Sequence, residues 1–194
     1  MEPDKRIEQL LTTYLVRDNH AASDYFGLIR ELLQVKKTNP SAQTYIDQVY
    51  GLVEDEIISN QGLPVNEINF GTSGWRGTLG KDVFLKSVGS VTEAIVDLYK
   101  LADSDPDLHP HLGVNSFEEA RQRGCLVGWD NRFGGEILGR CVADTLLKHG
   151  FKVYFCGEST TGVLSASLLE LQAAFSVNLT PSHNPLDYGG YKYN

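Results

Sequence analysis

Ser182 and His183 stand side by side between Pro181 and Pro185, in the run Asn178-Leu179-Thr180-Pro181-Ser182-His183-Asn184-Pro185, with Gly189-Gly190-Tyr191-Lys192 following. A serine hydroxyl is a weak nucleophile until a base or a well-placed charge activates it, and His183 and Lys192 are the groups at hand. Proline at 181 and 185 turns Thr180 and Asn184 away from helical dihedrals, so a strand ending near Leu179 should pass into a stiff, extended loop. That loop would present Ser182 rather than bury it. As a dipeptide, Ser-His is equally well explained by turn or capping chemistry, because Ser, Asn and Pro populate turns. The longer run is what sets it apart.

Three further segments carry groups suited to binding an anion: Phe70-Gly71-Thr72-Ser73-Gly74-Trp75-Arg76-Gly77, Val127-Gly128-Trp129-Asp130-Asn131-Arg132 and Thr160-Thr161-Gly162. The small neighbours of Arg76 would let backbone and guanidinium approach a negative group; the plainer reading is a surface arginine after a tight turn. Arg76, Arg132 and Lys192 together would make a local cationic pocket if loops following strands converge. Asp103-Ser104-Asp105-Pro106-Asp107 superficially resembles a calcium loop, but Leu108 replaces the required glycine and Val114 the closing glutamate, so it reads as a solvated linker. His109 and His111 suggest no chemistry. Cys125, Cys141 and Cys156 are odd in number and widely spaced, giving neither a disulfide framework nor a zinc pattern, and read as reduced, structural thiols.

The elements that must position these residues follow from the pattern. A chain of 194 residues with 41% apolar content holds one full α/β core and a small helical appendage. Up to about residue 60 it reads as helices. Ile7, Leu10, Leu11, Tyr14 and Leu15 share one face; Tyr25, Phe26, Leu28, Ile29, Leu32 and Leu33 form a second set; Asn39-Pro40 opens a third helix carrying Tyr45, Ile46, Val49, Tyr50 and Val53. Asn60-Gln61-Gly62-Leu63-Pro64 breaks the pattern, placing a helical extension at 1–62 and an α/β domain at 63–194.

From Val65 short apolar runs alternate with helical segments. A strand over Ile68–Phe70 is expected, with strand-like runs at Leu126–Trp129, Phe151–Cys156 and Ala173–Leu179. Helices are expected over about 83–101, 135–149 and 162–171, and Ser116 with Glu119 forms a capping box opening another at Phe117. Repeated β-α-β order predicts a three-layer α/β/α fold around a mainly parallel sheet. Asp130, Thr160 and Ser182 each follow a strand-like run, so they should meet at one end of that sheet, where ligands bind.

The net charge of −8 suggests no footprint for nucleic acid or anionic lipid. No apolar run approaches the roughly 18 residues that span a bilayer, and the N-terminus lacks a signal-peptide core, which makes a cytoplasmic protein the expectation.

The four segments, in their order and approximate spacing, resemble the signatures of the α-D-phosphohexomutases over about residues 65 to 194. In that family the serine loop reads Thr-Ala/Pro-Ser-His-Asn-Pro. The resemblance implies that Ser182 carries a phosphoryl group, gives it to one hydroxyl of a hexose phosphate, and recovers another from the bisphosphate intermediate. It implies catalytic roles for Ser182, His183, Lys192 and Arg76, with Lys192 in proton transfer. Thr72, Ser73, Gly74, Asp130, Arg132, Thr180 and Asn184 would bind substrate or phosphate. It also implies magnesium, held by Ser182 through its phosphate, since a phosphoserine bears about −1.5 to −2 charges near neutrality. The implied ligands are hexose phosphates, with a hexose 1,6-bisphosphate as activator. Pro181 in place of alanine, with Gly189-Gly190 and Tyr191-Lys192-Tyr193-Asn194, looks more like the phosphoglucomutase-type members, hence glucose 1-phosphate and glucose 6-phosphate.

The family's Asp-Gly-Asp-x-Asp-Arg metal loop occurs nowhere in the chain. The chain is therefore expected to be an N-terminal fragment with negligible activity alone, lacking downstream domains of the same protein. Two other readings stand beside this one. A non-catalytic sugar-phosphate sensor or assembly module would keep the loop only as an anion site. A serine hydrolase using Ser182 and His183 is disfavoured: Gly-x-Ser-x-Gly is absent, and adjacent side chains on an extended segment point apart.

Overall fold

The computed structural model describes residues 3–72 and 74–194. The chain divides into two compact units, one up to Asn60 and the other from Gln61 to Asn194. The first contains α1 (Pro3–Tyr14), α2 (Tyr25–Lys36) and α3 (Ala42–Ser59). Asp24 starts α2 by accepting a hydrogen bond from the Gly27 amide at 2.8 Å, satisfying one of the donors a helix N-terminus leaves open. The buried faces repeat at helical spacing: Phe26, Ile29 and Leu32 on α2, and Ile46, Val49, Val53 and Ile57 on α3. Two expectations are corrected here. Leu33 is exposed, the face continuing instead through buried Val35. And α3 begins at Ala42 rather than at Pro40, because the Asn39 side chain accepts from both the amide and the hydroxyl of Ser41 and holds residues 39–41 in a turn.

The second unit is built on a five-stranded sheet: β1 (Trp75–Thr78), β2 (Cys125–Trp129), β3 (Val153–Glu158), β4 (Phe175–Leu179) and β5 (Tyr188–Tyr193), in the order β1-β5-β4-β2-β3. β2 runs parallel to β3 and β4, as the β-α-β reading requires, while β5 lies antiparallel to β4 and to β1. The helices are α4 (Leu85–Lys100), α5 (His109–Leu112), α6 (Phe117–Arg123), α7 (Gly135–Lys148) and α8 (Thr161–Glu170).

Alternation along the strands sends side chains to two covered faces. On one, Leu126 packs with Leu164 of α8 and Ala173. On the other, Trp129 lies on α7, so close that a Cβ added to Gly139 would sit 2.5 Å from its ring. The same face meets α4, where Tyr99 stacks on Phe175 with centroids 4.8 Å apart and bonds the Tyr193 hydroxyl at 2.9 Å, and Thr92 bonds that of Tyr191 at 3.1 Å. Burial pushes the Tyr99 and Tyr191 phenols far above their ordinary range, so both remain neutral. Helices on both faces of a mixed sheet make the three-layer α/β/α fold.

The expected strand at Ile68–Phe70 does not form. Those residues have no ladder partner, whereas Trp75–Thr78 pairs with β5 along its length, and a strand needs a partner for its amides and carbonyls. Arg76 is therefore a strand residue, not part of the glycine turn before it. The turn after β1 is pinned by buried Asp82, which accepts from the Thr78 amide at 2.9 Å and the Asn66 amide at 2.8 Å.

Candidate active site

β2, β3 and β4 are parallel and end side by side: Trp129 pairs with Glu158 of β3, past a shift in register after Val127, and with Leu179 of β4. Asp130 follows β2, Thr160 follows β3, and Thr180 with Ser182 follows β4. Thr160 caps α8 through its hydroxyl, which accepts from the Val163 amide at 3.3 Å. Asp130 and Thr180 meet directly: the Thr180 hydroxyl donates to Asp130 Oδ2 at 2.6 Å. The Ser182 amide in turn donates to the Thr180 hydroxyl at 3.0 Å. Thr180 and Pro181 are buried and Ser182 is exposed, so the chain surfaces at the serine.

The loop is not extended as the sequence predicts. Ser182 has φ 65°, in the left-handed region, and the Asn184 amide reaches back toward the Pro181 carbonyl at 3.5 Å. The two prolines restrict Thr180 and Asn184 but leave the residues between them free to turn. The turn also removes one ground against the hydrolase reading, since Ser182 Oγ and His183 Nδ1 lie 3.5 Å apart rather than pointing away from each other. That distance is long for a hydrogen bond, and among the described residues no carboxylate pairs with His183 to orient it as a triad would require.

Two arginines grip the loop by its carbonyls. Arg76 Nε donates to the Pro181 carbonyl at 3.0 Å. Arg132 Nη1 donates to the Pro185 carbonyl at 2.7 Å and Nη2 to that of Ser182 at 3.0 Å, while its Nε lies 3.5 Å from Asp130 Oδ2. Asp130 Oδ1 also accepts from the Arg132 amide at 3.1 Å. From below, β5 presses on the loop: a Cβ on Gly190 would come within 2.5 Å of the Thr180 carbonyl oxygen. Glycine is required there by close approach of two backbones.

The remaining sequence-predicted residues are less tightly joined. Lys192 is paired with Asn178 by the β4·β5 register and has no hydrogen bond or ion pair to Ser182 or His183 among the described residues. Gly74, at φ +100°, packs against Lys192, since a Cβ there would meet the Tyr191 carbonyl at 2.4 Å and Lys192 Cα at 3.0 Å. Thr72 is exposed in the same turn, and Ser73 lies outside the described residues. A cleft of about 430 Å³ lined by Asp130, Asn131, Glu158, Ser159, Thr160 and Val163 opens beside the loop. A larger depression lined by Arg123, Gln172 and Ala174 lies at the opposite end of the sheet and has no part in this cluster.

Two relations in this cluster are not directly visible in the residue pattern: the Thr180–Asp130 pair, and the use of arginine on backbone carbonyls. The first had a signal, a hydroxyl two residues before the serine and able to bond its amide. The second had none, because carbonyl acceptors leave no trace in residue type.

Residues 111–194 match the model of the family described as phosphoglucomutase/phosphomannomutase, alpha/beta/alpha domain I, a range that contains the Ser182 loop, Asp130 and Arg132. That part of the chain is similar to domain I of these enzymes. The glycine turn before Arg76 falls outside the range of that match. Among phosphohexomutase relatives, the phosphoglucosamine/phosphogalactosamine mutase of Sulfurisphaera tokodaii is 32% identical over 123 residues, covering 63% of this chain and 23% of that one. The phosphoglucosamine mutase of Finegoldia magna is 27% identical over 124 residues, covering 64% and 24%. A protein named "Probable phosphoribomutase" from Schizosaccharomyces pombe is 25% identical over 169 residues, covering 79% and 27%. The chain thus spans about a quarter of the length of the curated relatives it matches.

Proposed function

We propose that the chain is the phosphoserine-bearing part of an enzyme that interconverts hexose 1-phosphate and hexose 6-phosphate, with glucose phosphate as substrate. The observation that carries this reading is Ser182 itself: an exposed hydroxyl at the sheet's carboxyl end, on a loop whose backbone is held by Arg76 and Arg132. Phosphoryl transfer asks the protein for positioning and charge neutralisation more than for covalent machinery. In the forward step the bond between Ser182 Oγ and phosphorus breaks as a sugar hydroxyl oxygen bonds the phosphorus, and the hydroxyl proton must leave. Lys192 is the base we assign to it, with His183 beside the phosphoryl oxygens. The bisphosphate then turns over and returns its other phosphoryl group to Ser182.

Magnesium belongs to the same reading, but these residues do not form its site. No three His, Cys, Asp or Glu side chains converge to hold a metal ion among the described residues, so the chain would offer it the oxygens of the phosphoserine and little else. For that reason we propose that the 194 residues alone turn over negligibly, and that the remaining ligands and the sugar contacts come from other parts of the protein. No helix among the described residues is long and apolar enough to cross a membrane.

The test is phosphorylation of the complete protein by glucose 1,6-bisphosphate with magnesium, read by intact mass, and turnover of glucose, mannose and glucosamine phosphates. One phosphoryl group per chain and turnover, both lost in Ser182→Ala, are expected. A well-folded protein that neither takes up phosphate nor turns over any of the three, yet binds them, would be a sugar-phosphate sensor instead.

A further inference from the structure

We propose that the Thr180 hydroxyl, seated on Asp130, is the positioning group that holds Ser182 in its left-handed conformation, and that Asp130 and Arg132 serve the loop rather than the substrate's phosphate. The inference rests on Ser182 being the phosphoryl carrier and deepens that reading by reassigning three residues expected to bind phosphate.

A serine at φ 65° sits where an L-residue is disfavoured, and such a conformation persists only when its surroundings over-determine it. Here they do. The Ser182 amide is bound by Thr180, the Ser182 carbonyl by Arg132, and the preceding carbonyl by Arg76. Every backbone polar group of the serine is thereby occupied, and its side chain alone is left for chemistry. The polarity of the relay is fixed by the carboxylate. Ionised Asp130 only accepts, so the single proton of the Thr180 hydroxyl goes to it, at 2.6 Å. The hydroxyl's lone pairs then face the Ser182 amide as acceptor. Without Asp130 the hydroxyl is free to rotate and point its proton at that amide.

Arg132 completes the assignment. Two of its nitrogens are spent on loop carbonyls and the third faces Asp130, and its side chain is only 16% exposed. A guanidinium used in this way fixes a backbone geometry and has little left for bidentate recognition of an incoming phosphate.

The test uses hydrogen exchange of the Ser182 amide by NMR on this chain, and the rate of Ser182 phosphorylation by glucose 1,6-bisphosphate in the complete protein. Wild type, Thr180→Val and Thr180→Ser are compared, with Asp130→Ala as a second way of breaking the relay. In Thr180→Val, Ser182 amide exchange should accelerate about fivefold or more, as loss of a single local hydrogen bond allows, while the amides of β2 and β4 keep their protection. Phosphorylation should slow about tenfold or more with bisphosphate affinity unchanged, as expected when alignment rather than binding is lost. Thr180→Ser should restore both. Unchanged exchange in both Thr180→Val and Asp130→Ala, or loosened exchange with undiminished phosphorylation, would overturn the proposal. A wild type that shows the exchange pattern but never takes up a phosphoryl group would overturn the phosphoryl-carrier reading while still supporting the Thr180 clamp.

Discussion

At the scale of the residue, Ser182 shows a conflict between backbone comfort and chemistry. The left-handed region costs a non-glycine residue about 1–2 kcal/mol, and glycine escapes that cost. Ser182→Gly should therefore leave the protein about 1 kcal/mol more stable than Ser182→Ala, which keeps the strained Cβ, although both lack the hydroxyl and neither can be phosphorylated. Chemical denaturation of the pair measures this; equal stability would mean that the loop relaxes to negative φ once the hydroxyl is gone. Serine, histidine and the flanking prolines were legible in the sequence as a presented loop. The left-handed turn was not, because it is imposed by Thr180, Arg76 and Arg132, which come from three different stretches of chain.

At the scale of the element, a helix start is legible where its cap is written locally, as at Ser116, and less so at α3, which begins at Ala42 rather than at Pro40. Ser116 accepts from the Glu119 amide at 3.1 Å and opens α6 as expected, but Glu119 reaches one residue further back than a capping box requires, accepting from the Asn115 amide at 2.9 Å. That amide, with the Asn115 side chain and Arg123 adding to it, holds the Glu119 carboxyl below the usual carboxylate range. A carboxyl whose pKa falls on folding contributes stability above its unfolded pKa of about 4.3 and loses it as pH drops through the lower, folded value. Wild type should thus exceed Glu119→Gln in stability at neutral pH, and the gap should close in acid as pH falls through the lowered, folded pKa. Urea melts at both conditions read it, and a gap that persists in acid would mean that the substituted amide simply lacks the geometry. Strand β5 was the least legible element. Gly189 and Gly190 are poor strand formers, and they are there because Gly189 meets Leu79 and Val83, more than a hundred residues away in the chain, while Gly190 meets the Thr180–Pro181 backbone.

At the scale of the whole molecule, the parallel half of the sheet followed from the alternation of apolar runs and helices, because β2 and β4 are buried at every position and so carry continuous apolar character. The antiparallel half depends on which strand lies beside which, a long-range matter that local pattern does not encode. The same burial lets one thiol report on the entire fold. Cys125 is fully buried in β2, between β3 and β4, whereas Cys141 and Cys156 are partly accessible on α7 and β3. Burial pushes all three thiols above their ordinary pKa, Cys125 the furthest, so at neutral pH each is a thiol rather than the reactive thiolate. Labelling with iodoacetamide should accordingly proceed at Cys141 and Cys156 through local motions, and at Cys125 only when the sheet opens. As urea is added, the Cys125 rate should rise in step with the global unfolding equilibrium while the other two respond weakly, because local openings expose little surface. A Cys125 rate matching that of Cys156 in the absence of denaturant would mean that β3 detaches from β2 as a unit. The sheet edge nearest Thr160 would then be the least stable part of the site, and the cleft beside Asp130 would open and close with it.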